Sequence, residues 1–282
     1  MPGSLRAAVI VTTYQRPAWL EMVLLAYARQ SVDSFRVVVA DDGSGPETAD
    51  VIRRLRPRFG DRLAHVWHED RGFRKCEILN RAILAADADY LVFTDGDCLP
   101  REDFVATHLR LAEPGRFLSG GVVWLPRPLT ERLTPDDVVT GRFAEPAWLA
   151  RNGWRGGRRR LRMLRSRALA TLLDHLTPTG ATFNGHNSSV WRDAVLAVNG
   201  FDADMGYGGL DRALGERLEN FGLRGKQVRH RAVVMHLDHD RPWRDPEVVR
   251  RNREIRARIR RSGEVRARIG IAELAAERGG AK

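Results

Sequence analysis

The sequence contains little cysteine and no long apolar run. Its 282 residues include two cysteines, Cys76 and Cys98, which cannot form a disulfide framework, so a reducing cytosol is the expected compartment. The longest apolar stretches, such as residues 7–11, span about five residues, whereas a membrane-spanning helix needs ~20. The run after Arg6 is also too short for a signal peptide and lacks a small-residue cleavage site. These absences predict a cytoplasmic protein.

Lysine is almost absent as well. Of the 47 basic residues, three are lysine, at positions 75, 226 and 282, and the other 44 are arginine. A net charge of +11 and a pI near 10.7 would be typical of a nucleic-acid-binding protein, but such proteins normally use both residue types. The imbalance is better explained by genome base composition.

The positive charge is concentrated in two segments. Residues 151–168 contain eight arginines and no acidic residue, and residues 241–268 contain eleven arginines and four acidic residues. The rest of the chain carries a net charge of −4. We therefore expect no nucleic-acid partner. The alternative, a basic nucleic-acid-binding protein, would be supported by a salt-sensitive gel shift.

The first hundred residues alternate short β-branched runs with helical patterns. Strands are predicted at 7–12, 35–40, 63–67 and 90–94, and helices at 17–29, 46–55 and around 78–83. This alternation is typical of a mostly parallel sheet flanked by helices, the α/β class. Farther along the chain, a helix is predicted at 211–221 and a strand at 232–235.

Two of the predicted strands end in acidic residues. Asp41-Asp42-Gly43-Ser44 follows the second strand, and Asp95-Gly96-Asp97 follows the strand at 90–94. Ligands of parallel sheets bind beyond the carboxyl ends of the strands, where paired carboxylates can hold a divalent cation. Both motifs are also compatible with ordinary acidic turns. Their coincidence on one rim of the sheet favours a binding site.

The motifs resemble, in their order and spacing, those of family 2 glycosyltransferases, which have the GT-A fold and use nucleotide-diphospho-sugars. The resemblance covers roughly residues 1–110 and 180–240, with a galactosyltransferase-type motif in the second part. The matching segments are Val9-Ile10-Val11-Thr12-Thr13-Tyr14, Asp41-Asp42-Gly43-Ser44, Asn80-Arg81-Ala82-Ile83, Thr94-Asp95-Gly96-Asp97, Asn199-Gly200-Phe201-Asp202 and Gly206-Tyr207-Gly208-Gly209-Leu210-Asp211.

The resemblance implies a set of residues around the nucleotide. Thr12 and Tyr14 would line the nucleobase pocket, and Asp42 would accept a hydrogen bond from the uracil N–H. Arg74 matches a basic residue that approaches the nucleotide, and Asp95 would contact the ribose. The implied donor is therefore a nucleotide sugar, most simply a UDP-sugar.

The resemblance also implies a metal site and a catalytic base. Asp97 would be the main ligand of Mn²⁺ or Mg²⁺, with Asp95 as a further ligand and His236 as the third, for which His239 competes. Such an ion stabilises the charge of a leaving diphosphate. Asp211 matches the general base that deprotonates the acceptor hydroxyl, and one base without a second nucleophile favours a single inverting displacement.

One residue departs from the family pattern. Leu210 stands where the motif usually has glutamate, a position that often contacts the acceptor sugar. The leucine could change acceptor choice, weaken activity, or only extend an apolar stripe with Leu214 and Leu218. Nearby, Gly185 and His186 are compatible with either the acceptor cleft or a turn.

The predicted architecture is one GT-A-like, Rossmann-like catalytic domain over residues 1–240. Its nucleotide-binding half would span 1–125 and its acceptor and catalytic half 179–240, followed by an Arg-rich helical extension at 241–282. Between the two halves, residues 126–178 would form a basic insert that is irregular in sequence pattern and helical in structure. A glycan or lipid-linked saccharide is the expected acceptor. The basic insert raises the hypothesis of peripheral association with an anionic membrane.

A second enzyme class uses a similar sheet. A sugar-1-phosphate nucleotidyltransferase would carry a Gly-rich phosphate loop after the first strand, and Thr12-Thr13-Tyr14-Gln15-Arg16 contains no glycine. The cluster of His65, His68, Glu69 and Asp70 is a weak metal candidate, because strand alternation places the two histidines on opposite faces.

Overall fold

The computed structural model describes residues 5–240 and 244–279, with side chains to residue 276. Its ten strands form a seven-stranded sheet and a three-stranded sheet. The strands are β1 Ala7–Thr13, β2 Phe35–Asp41, β3 Leu63–Trp67, β4 Tyr90–Asp95, β5 Cys98–Pro100, β6 Arg116–Ser119, β7 Gly121–Trp124, β8 Ser188–Trp191, β9 Arg224–Gln227 and β10 Val233–His236.

The large sheet has the strand order β3-β2-β1-β4-β8-β6-β9 and is mostly parallel, which confirms the predicted fold class. Strands β3, β2, β1 and β4 run in one direction, and β8 runs antiparallel to both β4 and β6. The register pairs Thr13 with Asp41 and Thr12 with Asp95. The acidic ends of β2 and β4 therefore flank the end of β1.

Twelve α-helices accompany the strands in the described part of the chain. They are α1 Pro17–Ala28, α2 Pro46–Leu55, α3 Lys75–Ala85, α4 Phe104–Leu111, α5 Arg127–Arg132, α6 Pro135–Val139, α7 Pro146–Arg151, α8 Arg167–Leu176, α9 Arg192–Ala197, α10 Leu210–Asn220, α11 Pro246–Ser262 and α12 Ile271–Gly279. No helix in this part is long and apolar enough to cross a bilayer.

The large sheet is buried on both faces. Val9 and Val11 of β1 belong to an apolar cluster with the side chains of α1, whereas Ala8 and Ile10 belong to a second cluster with those of α3 and α10. Successive strand residues point to opposite faces, so this division follows from the period of two. Burial on both faces explains why the strands read as continuous apolar runs rather than as alternating ones.

The three-stranded sheet lies beside this framework and has the order β5-β10-β7. Its central strand β10 ends at His236, which pairs with Cys98 on one side and Trp124 on the other. Since β5 begins just after Asp95-Gly96-Asp97, this pairing brings His236 to the acidic end of β4.

The basic insert, residues 126–178, contains four α-helices and two 3₁₀ segments, Arg142–Ala144 and Gly157–Met163. The insert is therefore helical, as the predicted fold class has it, and α5, α6 and α7 each carry a proline in the first turn. Proline has no amide hydrogen, which is tolerated where the helix offers that hydrogen no partner. In this segment the prolines start helices rather than interrupt them.

The C-terminal residues are helical, as predicted, and pack against the domain. Ile255 and Ile259 of α11 and Ile271 of α12 are buried in the apolar cluster that contains α3 and α10. The predicted extension also includes residues 241–243 and 280–282, which lie outside the described residues.

Candidate active site

A cavity of about 440 Å³ opens at the carboxyl ends of β1, β2 and β4. Most of the site residues predicted from the sequence line this cavity; among the described residues of its wall, Arg74 is missing. Those at its wall are Thr12, Tyr14, Asp42, Asp95, Asp97, Asp211, His236 and His239. Residues more than 200 positions apart in sequence therefore share one cavity, as the strand-end rule predicts for the first five.

Three hydrogen-bonded side chains, those of Thr12, Lys75 and Asp95, line the cavity together. Both the Thr12 hydroxyl and the Lys75 ammonium donate to Oδ1 of Asp95, at 2.7 and 2.6 Å. Burial opposes ionisation of Asp95, but the charge of Lys75 and the hydrogen bonds from Lys75 and Thr12 together outweigh it, and the pKa of Asp95 is lowered. Asp95 is thus an ionised carboxylate at the cavity wall.

Sequence reasoning missed Lys75 and selected its neighbour Arg74. The Arg74 guanidinium pairs with Glu77, with Nε 2.8 Å from Oε1, whereas the Lys75 side chain reaches into the cavity. Burial lowers the pKa of Lys75, but the charges of Asp95 and Asp97 raise it by more than burial lowers it, so the residue stays charged. The rarity of lysine could have identified this residue, because Lys75 is one of three lysines in a chain that contains 44 arginines.

Asp42 is held from two sides. His68 Nε2 donates to Oδ1 at 2.8 Å, and the backbone N–H of Arg74 donates to Oδ2 at 3.2 Å. His68 lies just beyond the end of β3, where strand alternation no longer determines the direction of a side chain. His65, inside the strand, instead bonds Asp41 at 3.0 Å. The two histidines therefore orient separate carboxylates, and sequence analysis gave no indication of this.

The Asp95-Gly96-Asp97 turn requires its glycine. The Gly96 N–H donates to the Thr12 carbonyl at 2.6 Å, and a Cβ at this position would lie 2.8 Å from the same oxygen. A side chain here would push the turn away from β1. Glycine thus allows the two carboxylates to lie against the end of the neighbouring strand. Tyr14, at the same strand end, donates its hydroxyl to Asp70 at 3.0 Å.

Asp97 faces two histidines. His239 Nε2 lies 2.8 Å from Oδ2 of Asp97, and His236 Nε2 lies 3.6 Å from the same oxygen. The two imidazoles are stacked, with centroids 5.6 Å apart. Burial raises the pKa of Asp97, but the electrostatic interaction with His236 and the hydrogen bonds from His239 and Cys98 together lower it below its usual range.

The tautomers of both histidines follow from their other ring nitrogens. Nδ1 of His236 lies 2.6 Å from the Leu237 carbonyl, and Nδ1 of His239 lies 2.7 Å from the Asp240 carbonyl. A carbonyl only accepts, so each Nδ1 carries a proton. Nε2 of His239, at 2.8 Å, then donates to the Asp97 carboxylate as well, whereas Nε2 of His236, at 3.6 Å, lies beyond hydrogen-bond distance and carries a lone pair in the neutral ring. Two acceptor atoms that face each other at 3.6 Å, such as His236 Nε2 and Asp97 Oδ2, repel each other, and a cation that binds both would remove this repulsion.

Cys98 completes the surroundings of Asp97. Its thiol donates to Oδ1 of Asp97 at 3.2 Å, and Asp97, Cys98 and His236 offer atoms that all lie within 4.8 Å of one another. Burial raises the pKa of the thiol, which therefore stays protonated and acts as a donor. The ionised oxygen and the imidazole nitrogen are the better ligands for Mn²⁺ or Mg²⁺.

Asp211, at the start of α10, also lines the cavity. Its Oδ2 accepts a hydrogen bond from the Gly185 N–H at 2.9 Å, and His186 lines the cavity beside it. Burial lowers the pKa of His186, which favours the neutral ring. Gly185 and His186, which sequence left open between a cleft and a turn, thus lie in the cavity.

The loop before Asp211 is fixed by a single amide from α11. Asn252 is fully buried, and its Nδ2 donates to the carbonyls of Gly206 at 2.9 Å, Tyr207 at 3.3 Å and Gly208 at 2.9 Å. A Cβ on Gly206 would lie 2.7 Å from Val248 of the same helix. The glycine-rich loop therefore lies directly against α11.

This arrangement has known counterparts. The family model described as "Glycosyl transferase family 2" matches residues 8–184, well over half of the chain. The chain belongs to glycosyl transferase family 2. The resemblance seen in the sequence motifs is therefore confirmed.

Among curated proteins, validoxylamine A glucosyltransferase of Streptomyces hygroscopicus subsp. jinggangensis is 30% identical to this chain over 242 residues. The match covers 79% of this chain and 54% of that protein, so the chain spans about half the length of that relative.

Solved structures of similar fold include a mannosyltransferase from Pyrobaculum calidifontis in complex with GDP-Man and Mn²⁺. It has a TM-score of 0.57 and 20% identity, and the match covers 100% of this chain and 77% of that one. S. aureus TarS 1–349 with UDP-GlcNAc has a TM-score of 0.62 and 15% identity over 96% and 69% of the two chains. These similarities confirm the GT-A fold for this family 2 member.

The residue that departs from the family 2 motif has a clear place. Leu210 lines the cavity and belongs to the same apolar cluster as Leu214 and Leu218. It therefore does extend the apolar stripe of α10. Trp124, the last residue of β7, also lines the cavity, and its ring centroid lies 4.0 Å from that of His236.

Proposed function

We propose that this family 2 protein transfers a sugar from a nucleotide-diphospho-sugar, most simply a UDP-sugar, to a hydroxyl of a glycan or lipid-linked acceptor. The observation that carries the proposal is the cavity itself. It is lined by the carboxylates of Asp95 and Asp97, by His236 and by the carboxylate of Asp211. The first three would hold a charged diphosphate, and Asp211 would accept the proton of an incoming hydroxyl.

On the donor side, the residues match the chemistry of a nucleotide. The Asp42 carboxylate, oriented by His68 and the Arg74 N–H, is an acceptor for an imide N–H of a base. Tyr14 and Thr12 lie beside it at the end of β1. Lys75 supplies a positive charge next to Asp95, where a diphosphate would lie.

Asp97 and His236 would hold a divalent ion, Mn²⁺ or Mg²⁺, with Asp95 as a further ligand, and His239 would orient Asp97 by a hydrogen bond. When bound, such an ion supplies positive charge beside the leaving diphosphate. The 3.6 Å separation of His236 Nε2 from Asp97 supports His236 as the ligand, because the 2.8 Å approach of His239 is already a hydrogen-bond distance.

On the acceptor side, Asp211 would act as the general base. The Gly185 N–H binds its Oδ2, which leaves Oδ1 for the acceptor hydroxyl. As the acceptor oxygen forms its bond to the anomeric carbon, its proton passes to Asp211 and the bond from that carbon to the diphosphate oxygen breaks. One displacement of this kind inverts the anomeric centre.

The first experiment is a panel of nucleotide sugars, with Mn²⁺, in which nucleotide release is measured with and without acceptor. We expect release from one donor class, loss of release in Asp97→Ala, and donor binding without transfer in Asp211→Asn. Asp50→Ala is the matched control, since Asp50 is an exposed aspartate of α2 that pairs with Arg53. Failure of every donor to bind or react, with Asp97→Ala equal to the parent, would disprove the proposal.

The metal ligand is tested separately from activity. Calorimetric titration with MnCl₂ in the presence of UDP should show a larger loss of Mn²⁺ affinity for His236→Ala than for His239→Ala. Loss of an outer hydrogen-bonding partner typically weakens metal binding by about 10–100-fold, whereas loss of a ligand weakens it further. The reverse order would assign the third ligand to His239.

A further inference from the structure

Helix α8 exposes its apolar side. Leu169, Leu172 and Leu176, termed the leucine face below, have exposed fractions of 42%, 52% and 67%. Their spacing of three and four residues places them on one side of the helix. An exposed apolar stripe of this kind is unusual on a soluble protein and marks a contact surface.

The opposite side of α8 is fixed to the domain by polar contacts. Asp174 is buried, and its carboxylate accepts hydrogen bonds from both the backbone N–H and Nδ1 of His230 at 2.9 Å and from Nε of Arg231 at 2.6 Å. Ala170 is buried on the same side of the helix. The orientation of α8 is therefore set by an ion pair, and the leucines remain outside.

Positive charge lies immediately before the leucine face. Arg155, Arg158, Arg159 and Arg160, termed the arginine cluster, are exposed, and within the described ranges no carboxylate forms an ion pair with them. The pKa of the adjacent Arg162 is lowered, first by burial and then by the charges of Arg229 and Arg159. Cations are thus crowded together here without acidic partners.

We propose that the leucine face and the arginine cluster together dock on an anionic phospholipid surface. The apolar side chains would enter the boundary between headgroups and acyl chains, and the guanidinium groups would bind the phosphates above it. Charge complementarity selects this occupant. A second copy of the chain would bring two arginine clusters together, and a nucleic acid would leave the leucines in water.

The position of α8 relates this surface to the cavity. Leu176 lies nine residues before Gly185, whose N–H binds Asp211. Nine residues span at most ~30 Å when extended. The leucine face therefore lies within about 30 Å of the proposed acceptor side of the cavity, on the scale of a lipid-linked saccharide of several sugars. The docking itself does not depend on the reaction and is tested without it.

The experiment is vesicle co-sedimentation of the whole chain. Vesicles of phosphatidylcholine alone are compared with vesicles of phosphatidylcholine and phosphatidylglycerol at low and physiological salt. One variant carries Leu169→Ser, Leu172→Ser and Leu176→Ser, and a second carries Arg158→Gln, Arg159→Gln and Arg160→Gln. The control carries Arg251→Gln, Arg253→Gln and Arg261→Gln, which removes three exposed arginines from α11 instead.

We expect the parent to bind the anionic vesicles preferentially. Removal of the arginines should weaken binding by roughly fivefold for each charge, about a hundredfold in all, and removal of the leucines by at least tenfold, with the α11 control unchanged. Thermal unfolding should be the same in every variant because all these side chains are exposed. Donor hydrolysis should also be unchanged, which separates this proposal from the proposed function.

Several results would overturn the proposal. Equal binding to neutral and anionic vesicles would remove the role of the arginine cluster, and undiminished binding by the leucine variant would remove that of α8. A dimer in solution that only the leucine variant abolishes, without vesicle binding, would assign the face to a second copy. Displacement from vesicles by RNA with no effect of the leucines would assign it to nucleic acid.

Discussion

Replacement of Asn252 should separate donor binding from transfer. This amide donates hydrogen bonds to three consecutive loop carbonyls, at 2.9, 3.3 and 2.9 Å, just before Asp211. Its own Oδ1 is buried and finds no hydrogen-bond partner among the residues that the structure describes. We expect Asn252→Ala to release the loop while leaving the donor side of the cavity intact. Asn252→Asp should be worse, because it keeps the shape but directs a carboxylate at three carbonyl oxygens.

The magnitude follows from the contacts. A net gain of about 1 kcal/mol for each of the two short bonds, with less from the third, gives roughly 2–3 kcal/mol of unfolding free energy. In a protein of this size that corresponds to a fall in Tm of about 5 °C. Displacement of a catalytic group by about 1 Å can cost ~100-fold in rate, so transfer should fall far more than stability does.

The assay measures Tm, donor affinity by calorimetry and the rate of transfer. Asn220→Ala is the matched control, because Asn220 Nδ2 joins α10 to the end of α11 through the carbonyls of Ile259 and Glu264, away from the loop. Asn252→Ala should bind the donor as the parent does and lose transfer, whereas Asn220→Ala should keep both. Equal transfer in the two variants would refute the reasoning.

Two further predictions concern stability alone. His108 is buried between Ser189 and Asn187, and burial lowers its pKa to about 4. Because the unfolded chain is protonated first, roughly 3 kcal/mol of stability should be lost as pH falls from ~6.5 to ~4. Urea unfolding of His108→Gln should therefore show a flatter pH profile than that of the parent, and equal slopes would contradict this. Arg217 is fully buried, and its guanidinium lies 2.6 Å from the carboxylate of Asp202. Arg217→Met should therefore lower the free energy of unfolding, measured in urea, by about 3–5 kcal/mol, whereas the exposed Arg250→Met should lower it by less than about 1 kcal/mol. Similar losses in the two variants would contradict burial as the cause.

The donor half of the cavity was predictable from sequence because its information is local. Each acidic motif follows a β-branched run, and parallel strands place their carboxyl ends on one rim. That rule brought Asp42, Asp95 and Asp97 together. It could not identify Lys75 or His68, since their bonds to Asp95 and Asp42 depend on how α3 and the end of β3 pack against the sheet.

The acceptor side was harder for a topological reason. β8 runs antiparallel to β4, so its amino end, not its carboxyl end, lies at the cavity. Gly185 and His186 precede this strand and reach the cavity by that route. A rule for parallel strands does not include them. Trp124 illustrates the same limit, because its contact with His236 comes from the pairing of β7 with β10.

The Asn252 contact also sets an order of events during synthesis. A ribosome releases the donor half first, and domains assemble from the N-terminus as they emerge. The loop that bears Asp211 lacks its three hydrogen bonds until α11, some 40 residues later, has left the exit tunnel. The loop before Asp211, the proposed general base, can therefore be fixed in place only after the strands that precede Asp42 and Asp95 have been synthesised and α11 has followed them.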